Sequence, residues 1–150
     1  MTKKFLLIYV CTMIAIAVSA QKKVMFDLAH GQFRDTFVDP DYYDYVIPEY
    51  EKIAKEVGFQ LVMNKSGITG QTLNGIDALL IISPLAKSTQ RNLTDTEKQA
   101  IIDYIRQGGS VIMFIDEEEY RVNLEEYGAN DITRKFGIEV LDDFEVPGNC

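Results

Sequence analysis

Ala78-Leu79-Leu80-Ile81-Ile82 runs directly into Ser83-Pro84. Five apolar residues without polar alternation make a strand covered on both faces, because a strand with one face in water would alternate. Val111 to Ile115 repeats the pattern after Gly108-Gly109. Between the two runs, Thr94-Asp95-Thr96-Glu97 reads as a capping box, in which Thr94 and Glu97 satisfy each other's free backbone donors. Ile101, Ile102 and Ile105 form the buried stripe of that helix, and Gly108-Gly109 stops it. A strand, a helix and a second fully apolar strand make the unit of a parallel sheet with crossover helices.

Val24 to Ala29 and Phe59 to Met63 read as two earlier strands, and Ile138 to Leu141 as a fifth. Val46, Ile47, Tyr50, Ile53, Ala54 and Val57 keep helical spacing, with Gly58 where a left-handed C-terminal cap belongs. Pro48 suits the first position of that helix, where no N–H is needed, which leaves Tyr42–Ile47 as a separate turn. Asn123–Tyr127 and Asp131–Phe136, each followed by Gly, read as short helices. The expected fold is a three-layer α/β domain with a mostly parallel five-stranded sheet, flavodoxin-like in outline. There is no internal repeat, low-complexity tract or interdomain linker.

The first 20 residues read as an address. Lys3 and Lys4 precede an apolar run of 14 residues, Phe5 to Val18, and Val18-Ser19-Ala20 places small residues before a cleavage point at Gln21. The run is shorter than the ~20 residues a spanning helix needs. A secreted chain, periplasmic or extracellular, is therefore expected, with residues 21–150 as one domain. The whole chain carries 15 basic and 23 acidic side chains, a net charge of −8. Residues 1–20 hold two Lys and no acid, so removing them leaves 13 basic side chains against 23 acidic, a net of −10. That acidity argues against nucleic acid, whose phosphates need a basic patch. Cys150 is then the one remaining thiol and has no internal partner. It stands just after Val146-Pro147-Gly148, and either pairs with another chain or belongs to a domain cut from something longer.

In a parallel sheet, ligands bind outside the carboxyl ends of the strands. The polar residues after each run are Asp27, His30, Gly31 and Gln32; Asn64, Lys65 and Ser66; Ser83; and Asp116 to Glu119. Ser83, His30 and Asp116 have the residue types of a nucleophilic triad. Ser83, however, precedes a proline and lacks the Gly-x-Ser-x-Gly elbow. For zinc, one His and one Cys are too few. Asp35, Asp39, Asp41 and Asp44 lack the spacing of a calcium loop and read as solvated charge. No Gly-x-Gly-x-x-Gly or Gly-Lys-Ser/Thr loop is present for phosphate, so no cofactor is expected.

Tyr42, Tyr43, Tyr45 and Tyr50, with Phe33 and Phe37, make an aromatic stretch after the first strand. Rings beside carboxylates suit a saccharide, whose apolar faces stack and whose hydroxyls donate. Packing of Tyr50 and its neighbours onto the sheet explains the same residues. The candidate ligand residues are Asp27, His30, Gln32, Tyr42, Tyr43, Ser83, Asp116 and Glu117. Asn92-Leu93-Thr94 and Asn64-Lys65-Ser66 match the glycosylation acceptor pattern.

The stretch Leu73-Asn74-Gly75-Ile76-Asp77-Ala78-Leu79-Leu80-Ile81-Ile82-Ser83-Pro84 leads to the capped helix with Tyr104-Ile105. Gly108-Gly109-Ser110-Val111-Ile112 and Glu126-Tyr127-Gly128 follow. Together with Phe26-Asp27-Leu28-Ala29-His30-Gly31-Gln32, this resembles the GIFT domain of gliding-motility and intraflagellar-transport proteins. More broadly it resembles the class I glutamine-amidotransferase-like fold. The resemblance implies a non-catalytic interaction or ligand-binding domain within a larger exported or membrane-associated protein, and, since such domains continue beyond the strand at Ile138–Leu141, a domain truncated at its C-terminus. The glutaminases of the wider fold use a Cys on a strand-to-helix elbow, and no Cys stands near a strand end here. The functional expectation is an exported domain that binds a small molecule or a protein partner without chemistry, as an accessory to polysaccharide handling. The alternative is a hydrolase of carbohydrate-type substrates, with Asp27 and Asp116 or Glu117 as acid and base and His30 assisting.

Overall fold

The computed structural model describes residues 21–32, 42–84, 89–115 and 123–141. Residues 1–20 and Cys150, read above as an export signal and a lone thiol, lie outside them. Strands β1 (Lys22–Asp27), β2 (Phe59–Asn64), β3 (Ala78–Ile82) and β4 (Ser110–Phe114) form one sheet in the order β2-β1-β3-β4. Every pairing is parallel. β1 starts at Lys22 and ends at Asp27, so Leu28 and Ala29 belong to the loop that follows rather than to the strand. The register sets Asp27 beside Asn64 and Ile82 beside Phe114.

Helix α1 (Tyr42–Glu56) packs on one face of the sheet, and α2 (Asp95–Arg106) on the other. On the α1 side, Phe26 and Ile47 are buried among Val46, Leu61, Met63, Leu80 and Ile82. On the α2 side, Met25, Leu79 and Ile81 pack against Ile101 and Ile102. They are joined there by residues of the short helices α3 (Leu124–Tyr127) and α4 (Ala129–Thr133). Leu79, Ile81 and Ile101 are fully covered, and burial of such a side chain contributes about 1.5–3 kcal/mol. The architecture is therefore α/β and layered around a parallel sheet. Among the described residues no helix is long and apolar enough to cross a membrane.

Three expectations need correction. α1 is a single helix that runs through Pro48 rather than starting there. Proline removes one helical hydrogen bond and crowds the preceding turn. Val46 and Ile47 nevertheless pack with Phe26 on the sheet, and the edge of the half-open Tyr50 meets the Phe26 ring at 5.6 Å, so contacts with Phe26 tie both sides of the proline to the sheet in one helix. The described residues form four strands, not five: residues 138–141 do not pair with the sheet. The carboxamide of Asn130 takes the place of a strand partner, donating to the carbonyl of Val140 and accepting from its N–H, each at 2.9 Å. Finally, β4 is not covered on both faces, since Ile112 and Phe114 on the α1 side are 47% and 61% exposed.

The ends of α2 follow the sequence closely. The Thr94 hydroxyl accepts from the Glu97 N–H, and a Glu97 carboxylate oxygen accepts from the Thr94 N–H at 2.9 Å. After Arg106 the chain turns through Gly108, with φ of +95°, and the ring of Tyr104 lies against Gly109. A Cβ at residue 109 would sit 2.3 Å from that ring, so the turn into β4 needs both glycines for different reasons.

Candidate functional site

A helix that returns from a parallel strand begins at the edge where the strands end, so the N-terminus of α2 meets the tips of β1 and β2. Asp27 closes β1 and is fully buried. Its Oδ1 accepts from the Ala29 N–H at 3.2 Å and from Asn64 Nδ2 at 3.1 Å. Its Oδ2 accepts from Gln32 Nε2 at 3.0 Å and lies 2.6 Å from His30 Nδ1. Those contacts use all the acceptor sites a carboxylate offers.

His30 is 4% exposed and stands between two carboxylates: Nδ1 is on Asp27, and Nε2 is 3.3 Å from Glu97 Oε1. Glu97 therefore does more than close the capping box. Its Oε1 also accepts from the Ile68 N–H at 2.9 Å, while Oε2 accepts from the N–H and hydroxyl of Thr94. One side chain thus ties the β1 loop, the segment after β2 and the start of α2 together. The α2 dipole also favours negative charge at this position. The ring of Tyr127 meets the imidazole edge-on at 6.4 Å, and its hydroxyl is buried beside Gln32.

The electrostatics follow from this enclosure. Burial alone would lower the pKa of His30, but the hydrogen bond and charge of Asp27, and then Glu97, outweigh it and raise the pKa above 6.5. Burial would raise the pKa of Glu97, yet the bonds from Thr94 and Ile68 and the charge on His30 hold it below 4.5. Burial, reinforced by the charge of Asp27, pushes the Tyr127 phenol far up, so it stays neutral. A neutral imidazole could donate to only one of the two flanking carboxylates, so the geometry calls for the imidazolium.

The β1 loop is also contacted from outside. Thr89 donates its hydroxyl to the carbonyl of Gly31 at 3.3 Å, and the backbone of Thr89 lies against Gly31 itself. Segment 89–91 thereby covers the loop at the β1–β3 boundary, where the strand order reverses. In open α/β sheets this switch point is where ligands bind.

Of the sequence-predicted site residues, Asp27, His30 and Gln32 come together. Ser83 does not join them through its described contacts, since its N–H and hydroxyl both donate to the Phe114 carbonyl, at 2.8 and 3.1 Å. With both imidazole nitrogens facing carboxylates, the Ser83–His30–Asp116 triad is not assembled by the described residues. Tyr42 and Tyr43 open α1, and their side chains lie outside the described set, as do Asp116 and Glu117. Glu97 and Tyr127 were missed as members of the site. No local motif marks Tyr127, and the capping box marks Glu97 only as a cap, although topology alone sends a helix N-terminus to this edge.

Among the described residues, no group of three His, Cys, Asp or Glu side chains could hold a metal ion. Asp27 and Glu97 flank opposite nitrogens of one ring, so they cannot converge on a common ion. A groove of about 910 Å³ lies elsewhere, between the turn before β3 and α2, with Asp77, Asp95 and Asp103 on its walls. Comparison with family models, with curated proteins and with solved structures gave no match.

Proposed function

We propose that this chain is an exported α/β binding domain without catalytic activity, in which Asp27, His30 and Glu97 brace the ligand edge rather than act on a substrate. The observation that carries the reading is the double engagement of the imidazole: both ring nitrogens face buried carboxylates, and His30 is almost fully covered. A general base needs a free nitrogen and reach to a substrate proton. The carboxylate of Asp27 is likewise filled by its four neighbours, which weighs against the hydrolase alternative.

The resemblance to GIFT domains belongs to the same proposal, and the parallel order β2-β1-β3-β4 is compatible with it. The ligand class we assign is a saccharide, on the aromatic and acidic residues between Phe33 and Tyr45. The experiment is affinity electrophoresis of the full chain through a panel of polysaccharides, with reducing ends measured in parallel. Retention without release of reducing ends is expected, and Tyr42→Ala with Tyr43→Ala should weaken it. Release of reducing ends that His30→Gln abolishes would overturn the non-catalytic reading.

A further inference from the structure

We propose that Asp27, His30 and Glu97 form a proton-operated latch, in which loss of the imidazolium proton parts the β1 loop from the start of α2 and opens the β1–β3 edge. The proposal rests on reading this cluster as a brace, and it names how the brace is released.

His30 stands unequally between its two carboxylates. The contact with Asp27 is the shorter, 2.6 Å against 3.3 Å for Glu97, so the one proton of a neutral ring stays on Nδ1. The lone pair of Nε2 then faces Glu97 Oε1 across a water-poor gap, and an attraction becomes a repulsion. Glu97 cannot readily turn away, because Thr94 and Ile68 hold both of its oxygens. The imidazole and the β1 loop that carries it are therefore the side of this contact that shifts. Two of the loop's hydrogen bonds to segment 89–91 are long, 3.4 Å from the Arg91 N–H to the His30 carbonyl and 3.3 Å from the Thr89 hydroxyl to the Gly31 carbonyl.

The groups facing the ring come from each surrounding element. β1 supplies Asp27, α2 supplies Glu97, α3 supplies Tyr127, and the loop supplies Gln32. Glu97 is already ionised above 4.5, Tyr127 remains a neutral phenol and Gln32 does not titrate, so above that range His30 is the group whose charge changes as pH rises. The two carboxylates raise its pKa above 6.5, which puts opening on the alkaline side of the usual histidine range.

The experiment follows the full chain by imidazole NMR and by amide hydrogen exchange corrected for intrinsic base catalysis, from pH 5 to pH 10. As His30 deprotonates, protection at residues 29–32 and 66–68 should fall about ten- to a hundredfold, the factor implied by one lost charge-assisted hydrogen bond. The centre of β3 should keep its protection. Glu97→Gln retains a capping-box residue while removing the charge opposite Nε2, so both the His30 titration and the opening should move together to lower pH. Unchanged protection through the His30 titration would overturn the latch, as would opening that ignores the shifted titration in Glu97→Gln. Neither result bears on hydrolysis, which the reducing-end measurement tests separately.

Discussion

The carboxamide of Asn130 holds Val140 by both backbone groups, its Nδ2 donating to the carbonyl and its Oδ1 accepting from the N–H, each at 2.9 Å. This side chain, 2% exposed, does the work of an adjacent strand, and it lets Val140 pack against the α2-side core without joining the sheet. Asn130→Ala removes both bonds and leaves two backbone groups unpaired in a half-buried place. The expected loss is about 1–3 kcal/mol in urea unfolding with an unchanged m-value. Asn130→Asp should be at least as damaging, because its carboxylate would face the Val140 carbonyl.

Gly31→Ala tests how tightly the β1 loop is held. Gly31 has φ of +93°, and an added Cβ would lie 2.1 Å from the Thr89 carbonyl oxygen. Left-handed backbone alone costs a non-glycine residue roughly 1–2 kcal/mol, and the clash with backbone adds to it. Thermal unfolding should show a lower midpoint. Wild-type stability in this variant would mean that residues 29–32 do not sit under segment 89–91.

The sheet and α2 were legible because their signals are local and redundant. A continuous apolar run, a capping box and a Gly-Gly stop all say the same thing within 38 residues, from Ala78 to Ile115. Residues 138–141 carry the composition of a strand, but their partner is a side chain on α4, and sequence runs do not reveal partners. Pro48 misled for a related reason: a helix-breaking residue was outweighed by packing of Val46 and Ile47, and the ring contact of Tyr50, around Phe26. The site was half legible. Asp27, His30 and Gln32 lie within six residues of one another, whereas Glu97 is recognisable locally only as a cap. Its second role depends on β1 and α2 meeting at one edge.

The pH dependence of stability should have two limbs. His30 has a folded pKa above its ordinary 6.5, so its contribution is complete below 6.5 and is lost as pH rises through the raised value. Glu97 has a folded pKa below its ordinary 4.5, so its contribution is complete above 4.5 and is lost as pH falls through the lowered value. Thermal midpoints should therefore be highest between about 4.5 and 6.5 as far as these two groups decide it. His30→Gln should flatten the alkaline limb and cost stability at pH 6. Removing one partner from a buried charge pair typically costs ~3–5 kcal/mol, which sets the upper bound for this change. An alkaline limb that survives in His30→Gln would assign it to other groups.

Leu79 and Phe114 contrast the two kinds of apolar residue in this sheet. Leu79 is wholly enclosed between β1, β4 and α2, whereas Phe114 sits on the edge strand with 61% of its surface open. Leu79→Ala leaves a cavity and should cost about 2–5 kcal/mol in urea unfolding. Phe114→Thr keeps a good strand former and removes little buried area, so its effect should stay within about 0.5 kcal/mol. Because Ile112 is exposed on the same face, Phe114→Thr should also reduce any concentration-dependent self-association seen by light scattering. A loss from Phe114→Thr comparable to that of Leu79→Ala would mean that the α1-side face of β4 is covered in solution.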